Sequence, residues 1–495
     1  MELYHLFQQS VERYGERTSL TFEGMDFTYQ DIANKANTVA HFLAKRLAGQ
    51  RKNISLMIPN TPNFYFSLYG VLGAGCTVVP HNPLLMAEEV SVFLNHSDSE
   101  LLIYDPVLKE KAVPIAQKAG LEAVDITEIL QSGHPTDFLN PVVPPDESCM
   151  ILYTSGTTGD PKGVVLTHDN IFQDLHGYHA TIELTQDDTF ICMLPMFHTF
   201  AMTTIVFGAM YVGAKVCLFP QFNPHRLIET TVQHPNVVFI AVPPMFHMMA
   251  KLAPDGIAQQ HNIKYAISGG GPLPQDVVKA FKAKFDVLIL EGYGLTETAP
   301  VVSVNKPETN KLGTIGKPFP GLETEVRGEE TGQTLGTNEI GELCVRGPIV
   351  MKEYYKNPEQ TAAVFYENGW FRTGDLASID EEGYIKIVGR SKDLIVCGGE
   401  NIYPREIEEH LLRYPGVMEA AVVGKPDTLR QEIPYAFVVL AEEARDKITE
   451  SDIRRHCREH LAEYKIPEGF TFVESLPKTA TNKIQKEKIK QQYFS

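Results

Sequence analysis

Tyr153-Thr154-Ser155-Gly156-Thr157-Thr158-Gly159-Asp160-Pro161-Lys162-Gly163 gathers four aliphatic hydroxyls, three glycines and a lysine into one short stretch. That composition suits a polyphosphate. Glycines let backbone N–H groups approach oxygen anions closely, hydroxyls add neutral donors, and the lysine supplies one compact positive charge. A solvated Ser/Thr/Gly turn has the same composition. The stretch is not a Walker A loop, because Gly163 follows Lys162 where that motif needs Ser or Thr for magnesium.

Around this loop, segments of branched residues alternate with helical patterns, the signature of βα units and parallel sheet. Strands are predicted at Ile54 to Met57, Val237 to Val242, Tyr265 to Ser268 and Val287 to Leu290, each emptying into a Gly- or Pro-rich loop. Ligands bind at such loops. A helix is predicted from Thr28, capped with help from Asp31, with Ile32, Ala36, Val39, Leu43 and Leu47 on one face. Beyond residue 390 the chain becomes more charged. There Pro404 opens a helix carrying Ile407, Leu411 and Leu412, strand-like Ala420 to Val423 and Tyr435 to Leu440 follow, and Thr449/Asp452 cap a helix presenting Ile453, Cys457, Leu461 and Tyr464. The expected fold class is α/β: a large N-terminal domain, 1–390, with parallel-rich sheets and helices, plus a small mobile C-terminal α+β domain, 391–495. Lys483, Lys486, Lys488 and Lys490 form a basic cluster that reads as a solvated face.

At 495 residues and 43% apolar, the chain is too long for one core. Its formal charge of -18 argues against nucleic acid as a partner. Seven scattered cysteines without a CxxC pair suggest neither disulfides nor a zinc ribbon and fit a reducing, cytoplasmic setting. Charged residues break any signal-peptide core near Met1, and Pro243, Pro244, Gly73, Gly75 and Lys215 interrupt the most apolar stretches, so no transmembrane segment is expected.

The glycine loop resembles the phosphate-binding loop of the AMP-forming adenylate enzymes: acyl-CoA synthetases, peptide-synthetase adenylation domains and beetle luciferases. Further motifs of that superfamily follow in order from Thr28 to Lys483. Glu291 to Thr298 follows a predicted strand; the resemblance implies that Gly292, Tyr293 and Gly294 border the base and sugar, that Thr296 contacts phosphate and that Glu297 binds Mg2+. Ser268-Gly269-Gly270-Gly271-Pro272 resembles the adenine-flanking loop, although a tight turn also explains three glycines. Asp375, within Trp370 to Leu376, is the implied ribose ligand, aided by Arg390, and Lys392 stands at the hinge position. Gly398 and Gly399 resemble the loop that closes on the pantetheine of CoA. Pro477 to Ile484 resembles the motif delivering a catalytic lysine, Lys483, but Asn482 replaces the usual Gly and Lys486 the common Arg.

The implied reaction begins with attack of a substrate carboxylate on the α-phosphorus of ATP, releasing pyrophosphate and leaving acyl-AMP. CoA thiol then displaces AMP. Lys483, Lys162, Thr296 and Glu297 stabilise developing charge. Pro195 to Phe200 resembles the acyl-side motif, with His198 either a gate or a satisfied core histidine. Phe197, His198, Phe200, Met202, Val206, Phe207 and Gly294 are the acyl-pocket candidates, and Met202 to Met210 also reads as helical core. Peptide-synthetase domains usually place Asp where this chain has His198, and acetate-activating relatives place Trp where it has Gly294-Leu295. A medium- or long-chain fatty acid is therefore the expected substrate. An aryl-acid CoA ligase, an acyl-AMP ligase loading a carrier protein, a luciferase-like oxygenase and a noncatalytic nucleotide-binding module are the alternatives. A carrier protein or a homodimer partner is compatible with these residues.

Overall fold

The computed structural model describes residues 1–154, 161–398, 400–478 and 484–494. They divide into two compact units, Met1–Glu323 with Val345–Phe371, and Thr324–Cys344 with Arg372–Ser495. The first is built on two sheets. In one, Thr18–Phe22, Lys215–Leu218, Thr189–Cys192, Val237–Ala241, Ile263–Ser268 and Ile289–Gly294 lie side by side and parallel. Met25–Thr28 closes one edge antiparallel, and Val301–Val304 followed by Lys317–Pro318 closes the other. Val237–Ala241 is buried along its whole length, which is why it reads as an unbroken apolar run rather than an alternating one. The other sheet runs Glu353–Tyr354, Lys162–Thr167, Ser148–Thr154, Thr77–Pro80, Asn53–Met57, Ser99–Tyr104, Glu122–Asp125.

The second unit contains a sheet in which Val417–Asp427 and Gln431–Leu440 pair antiparallel and Gly469–Phe472 adds parallel. Alternation decides its faces. Val422 and Val438 pack toward Pro404–Leu412 and Glu450–His460, whereas Ala421, Val423 and Phe437 share a cluster with Ile489 of Lys486–Phe494. Among the described residues, no helix is long and apolar enough to cross a membrane.

The parallel α/β reading and both capping boxes are observed. Thr28 opens Tyr29–Arg46 and Thr449 opens Glu450–His460, each with reciprocal bonds to Asp31 or Asp452. Four local expectations change. The strand expected at Val287 to Leu290 is Ile289–Gly294, because Asp286, at φ 56°, turns the chain out of the preceding helix and spends Val287 and Leu288 on the connection. The motif expected after that strand is therefore partly the strand itself. Thr199 to Val212 is not a uniform α-helix: Met202–Phe207 is a π-helical turn between Thr199–Ala201 and Gly208–Val212. Tyr464 falls off the helical face, since that helix ends at His460 and Leu461 is extended. Lys486 is not simply solvated; its ammonium sits 2.7 Å from Glu408, both side chains 16% exposed.

Candidate active site

The arms of the glycine loop are a hairpin in which Thr154 faces Lys162 and Tyr153 faces Gly163. Ser155, Gly156, Thr157, Thr158 and Gly159 lie outside the described residues, as do Gly399 and Lys483. On the outer side of Lys162–Thr167 the short strand Glu353–Tyr354 is laid antiparallel, Tyr354 opposite Val164. Backbone bonds from Tyr355 to Gly163 O at 2.7 Å and from Lys352 to Val165 O at 3.0 Å fix it there. The Lys162 ammonium lies 5.6 Å from the centre of the Tyr354 ring. The Tyr354 hydroxyl donates to Glu297 Oε1 at 2.9 Å, and Met351 N donates to the Glu297 carbonyl at 2.8 Å. One tyrosine thus joins the two sheets and holds a cation and a carboxylate at its two ends. Burial, then the Glu297 carboxylate, pushes the Tyr354 phenol well above its usual range, so it stays a neutral donor.

Glu297 and Thr296 are presented by a turn that admits no side chain at Gly294. A Cβ there would lie 1.6 Å from Pro300 O, the same carbonyl that accepts from Leu295 N at 3.0 Å. Val301 N, on the return strand, donates to Asp174 Oδ1 at 2.8 Å. Thr296 meets the acyl-side segment directly, its hydroxyl accepting from Thr199 Oγ1 at 3.3 Å. His198 Nδ1 accepts from Phe200 N at 3.2 Å, so the neutral ring carries its proton on Nε2. Phe200 lies against the Gly269 loop. A Cβ on Gly269 would come within 2.7 Å of Phe200 Cζ; Gly270 has φ 76°, and Gly271 has open space around it. Two of these three glycines are required, for different reasons, and the third is unconstrained locally. At Gly292 a Cβ would meet Ser303 O at 3.2 Å, while Tyr293 is half-buried.

Of the acyl-pocket candidates, Phe197, His198 and Phe200 are half-buried, whereas Met202, Val206 and Phe207 are fully buried in the core of the unit. Phe207 packs edge-on to Tyr69 with centroids 5.9 Å apart, and the Tyr69 hydroxyl donates to Val206 O at 3.4 Å. A π-helical turn adds a residue to the helical circuit and re-aims the side chains after it, a feature frequent at functional sites.

In the second unit, Asp375 and Arg390 stand opposite each other on antiparallel strands, Arg390 Nε 2.9 Å from Asp375 Oδ1. The aspartate is buried and the arginine exposed. Lys392 is exposed in the turn Ser391–Asp393, and Gly398, at φ 61°, follows the strand Ile395–Cys397. Lys478 and Ile484 form an antiparallel bridge. Lys478 pairs with Glu419 and Lys486 with Glu408.

Tyr354 and Asp174 were not singled out from sequence. Tyr354 sits in a two-residue strand too short to carry a periodic signal, and Asp174 is one polar position on an ordinary amphipathic helix.

A family model described as AMP-binding enzyme matches residues 7–355, and one described as AMP-binding enzyme C-terminal domain matches residues 406–483. A long-chain-fatty-acid–CoA ligase, FadD13, of Mycobacterium tuberculosis is 34% identical over 94% of this chain and 93% of its own. A 2-succinylbenzoate–CoA ligase of Bacillus velezensis is 31% identical over 97% and 96%. Further relatives are named sulfoacetate–CoA ligase, from Cupriavidus necator, and feruloyl-CoA synthase, from Amycolatopsis. The solved structure of ATP-bound MatB from Rhodopseudomonas palustris superposes with a TM-score of 0.93 at 28% identity, covering 100% of this chain and 99% of that one.

Asp174 yields a test of how the Gly294–Val301 turn is held. It is fully buried, Oδ2 has no hydrogen-bond partner among the described residues, and burial raises its pKa well above the carboxylate range despite the Val301 bond. The folded protein therefore keeps the proton that the unfolded chain releases near pH 3.9, roughly. Its contribution to stability is complete below that pH and declines as pH rises toward the folded value, by up to about 1.4 kcal/mol per pH unit. Asp174→Asn, which keeps the acceptor for Val301 N, should gain stability relative to the parent between pH 5 and 8. Urea midpoints followed by the fluorescence of Trp370 measure this; parallel profiles would contradict it.

Proposed function

The chain belongs to the AMP-binding enzyme family and is an AMP-forming acid–CoA ligase; within that activity we propose that its acid is a medium- or long-chain fatty acid. The carbon of a carboxylate is a poor electrophile toward a thiol, and hydroxide leaves poorly. ATP solves this. One carboxylate oxygen attacks the α-phosphorus, the bond from that phosphorus to the β-phosphate oxygen breaks, and pyrophosphate departs. The CoA thiol then attacks the acyl carbon of the acyl-AMP, loses its proton, and expels AMP with the original carboxyl oxygen.

The observation that carries the reading is the grouping of Lys162, Tyr354, Glu297, Thr296 and Thr199. Lys162 faces the phosphates as a point charge, and the hydroxyls of Thr296 and Thr199 supply neutral donors beside it. Glu297 fits Mg2+: it is a hard oxygen donor, one oxygen is oriented by Tyr354, and a carboxylate retains further lone pairs. Bound there, the cation would neutralise charge on the phosphate oxygens. Asp375, oriented by Arg390, is assigned to the ribose hydroxyls, which a carboxylate accepts well. Lys483 is assigned to the developing charge at the α-phosphate. The segment 391–495 is read as the mobile domain, turning about Lys392 to exchange Lys483 for the Gly398/Gly399 loop between the two half-reactions.

Fatty-acid preference rests on apolar surroundings without a bulky stop. Gly294-Leu295 stands where tryptophan closes acetate-specific pockets, and the one tryptophan, Trp370, lies elsewhere in the sequence. His198 in place of an acidic residue disfavours an ammonium-bearing substrate. The relatives named for 2-succinylbenzoate and feruloyl substrates favour an aromatic acid as the second reading.

With purified protein, ATP, Mg2+ and CoA, release of AMP against acids from C2 to C18, benzoate and cinnamate separates the two. Each methylene is worth about 0.8 kcal/mol, so kcat/KM should climb roughly fourfold per methylene until the pocket is filled. Fastest turnover of the aromatic acids would overturn the choice. The two-state scheme is tested separately by exchange of labelled pyrophosphate into ATP. Lys392→Pro should preserve exchange while thioester formation falls, and Lys483→Ala should lower exchange by about 10²-fold or more. Equal loss of both steps in Lys392→Pro would reject the hinge, and normal exchange in Lys483→Ala would reject the lysine.

A further inference from the structure

The second unit carries a group of metal-ligating side chains that the ligase chemistry does not use. His456, Glu459 and His460 occupy the last turn of Glu450–His460, at i, i+3 and i+4, and one ligand atom from each lies within 4.8 Å of the others. Their spacing puts all three on one face. That face points outward: Glu459 and His460 are exposed and His456 is half-buried, while Cys457 between them is buried in the core.

The hydrogen bonds around the two imidazoles are those of prepared ligands. His456 Nε2 lies 2.9 Å from the carbonyl of His410, and His460 Nδ1 lies 2.9 Å from the carbonyl of His456. A carbonyl only accepts, so both ring nitrogens carry protons. In the neutral rings the lone pairs then reside on His456 Nδ1 and His460 Nε2. Donation of the second N–H to a backbone carbonyl is the usual support of a metal-bound histidine, fixing tautomer and ring orientation. The rings are also confined by packing, with centroids 4.7 Å apart between His456 and His460, 5.3 Å between His456 and Tyr414, and 5.7 Å between His460 and His410. The end of the helix adds the negative pole of its dipole, which favours a cation.

From these observations we infer that His456, Glu459 and His460 form a binding site for a borderline first-row divalent ion, best matched by Zn2+. Two imidazoles and one carboxylate suit zinc, with a fourth position left to water, whereas Mg2+ prefers an all-oxygen shell. Zinc bond lengths of about 2.0–2.1 Å set ligand-to-ligand edges near roughly 3.3 Å. Closing from 4.8 Å falls mainly to the exposed Glu459 side chain, the two imidazoles being held by their carbonyl bonds and packing. An ion there ties the last turn of this helix together beside Pro404–Leu412, the helix that follows Gly398 and the Glu400–Ile402 strand. The site is separate in residues and in ligand chemistry from Glu297, and it does not depend on which acid the enzyme activates.

Untagged full-length protein, stripped with chelator and returned to chelator-free buffer, is titrated with ZnCl2 against a chromophoric zinc indicator. The parent should bind one equivalent that His460→Gln and Glu459→Gln each weaken by about tenfold or more. His456→Gln should do the same, but its ring also holds the His410 carbonyl, so the two exposed positions decide the case. Circular dichroism and pyrophosphate exchange in Mg2+ without zinc should be unchanged in His460→Gln and Glu459→Gln. Absence of zinc binding by the parent, or equal affinity in parent and both exposed variants, would overturn the site.

Discussion

A single phenol holds the candidate centre together. The Tyr354 hydroxyl bonds Glu297, at the carboxyl end of one sheet, while the face of its ring receives the Lys162 ammonium from the neighbouring strand of the other. A hydrogen bond to a carboxylate contributes about 1.5–3 kcal/mol and a partly exposed cation over a ring about 0.5–1 kcal/mol. Those are small beside the burial that assembles the two sheets, but they act where position matters most. Glu297 and Lys162 are 135 positions apart in sequence, and the Tyr354 side chain touches both. Because the phenol is buried beside a carboxylate, it remains a protonated donor.

The glycines explain why the motifs were legible before any fold was known. At Gly294 the backbone of Pro300 occupies the volume of a side chain, and at Gly269 the ring of Phe200 does. Close approach of this kind leaves a mark in composition. So does capping: Thr28 with Asp31 and Thr449 with Asp452 each satisfy orphan donors within four residues of chain, and both helices begin where those pairs stand. Parallel strands buried on both faces likewise declare themselves as apolar runs, as Val237–Ala241 does.

What stayed hidden was tertiary. Tyr354 belongs to a two-residue strand whose existence depends on Lys162–Thr167 being there to receive it. Asp174 acquires its meaning from Val301, 127 positions along the chain. The π-helical turn at Met202–Phe207 has the same apolar composition as an α-helix, so periodicity alone gave no reason to expect it. Lys486 looked like part of a solvated basic face because Glu408, its partner, lies on a different helix. Each depends on a partner remote in sequence, and local propensity carries no information about such partners.

The reaction itself makes one demand that no arrangement of binding residues can imitate: an oxygen of the acid must cross to the nucleotide. The most direct measurement is turnover of a fatty acid labelled with 18O in its carboxyl group, with ATP, Mg2+ and CoA, followed by mass spectrometry of the nucleotide product. Attack on the α-phosphorus delivers one labelled oxygen to AMP and none to pyrophosphate. Unlabelled AMP, or label appearing in inorganic phosphate alongside ADP, would contradict activation through an acyl adenylate.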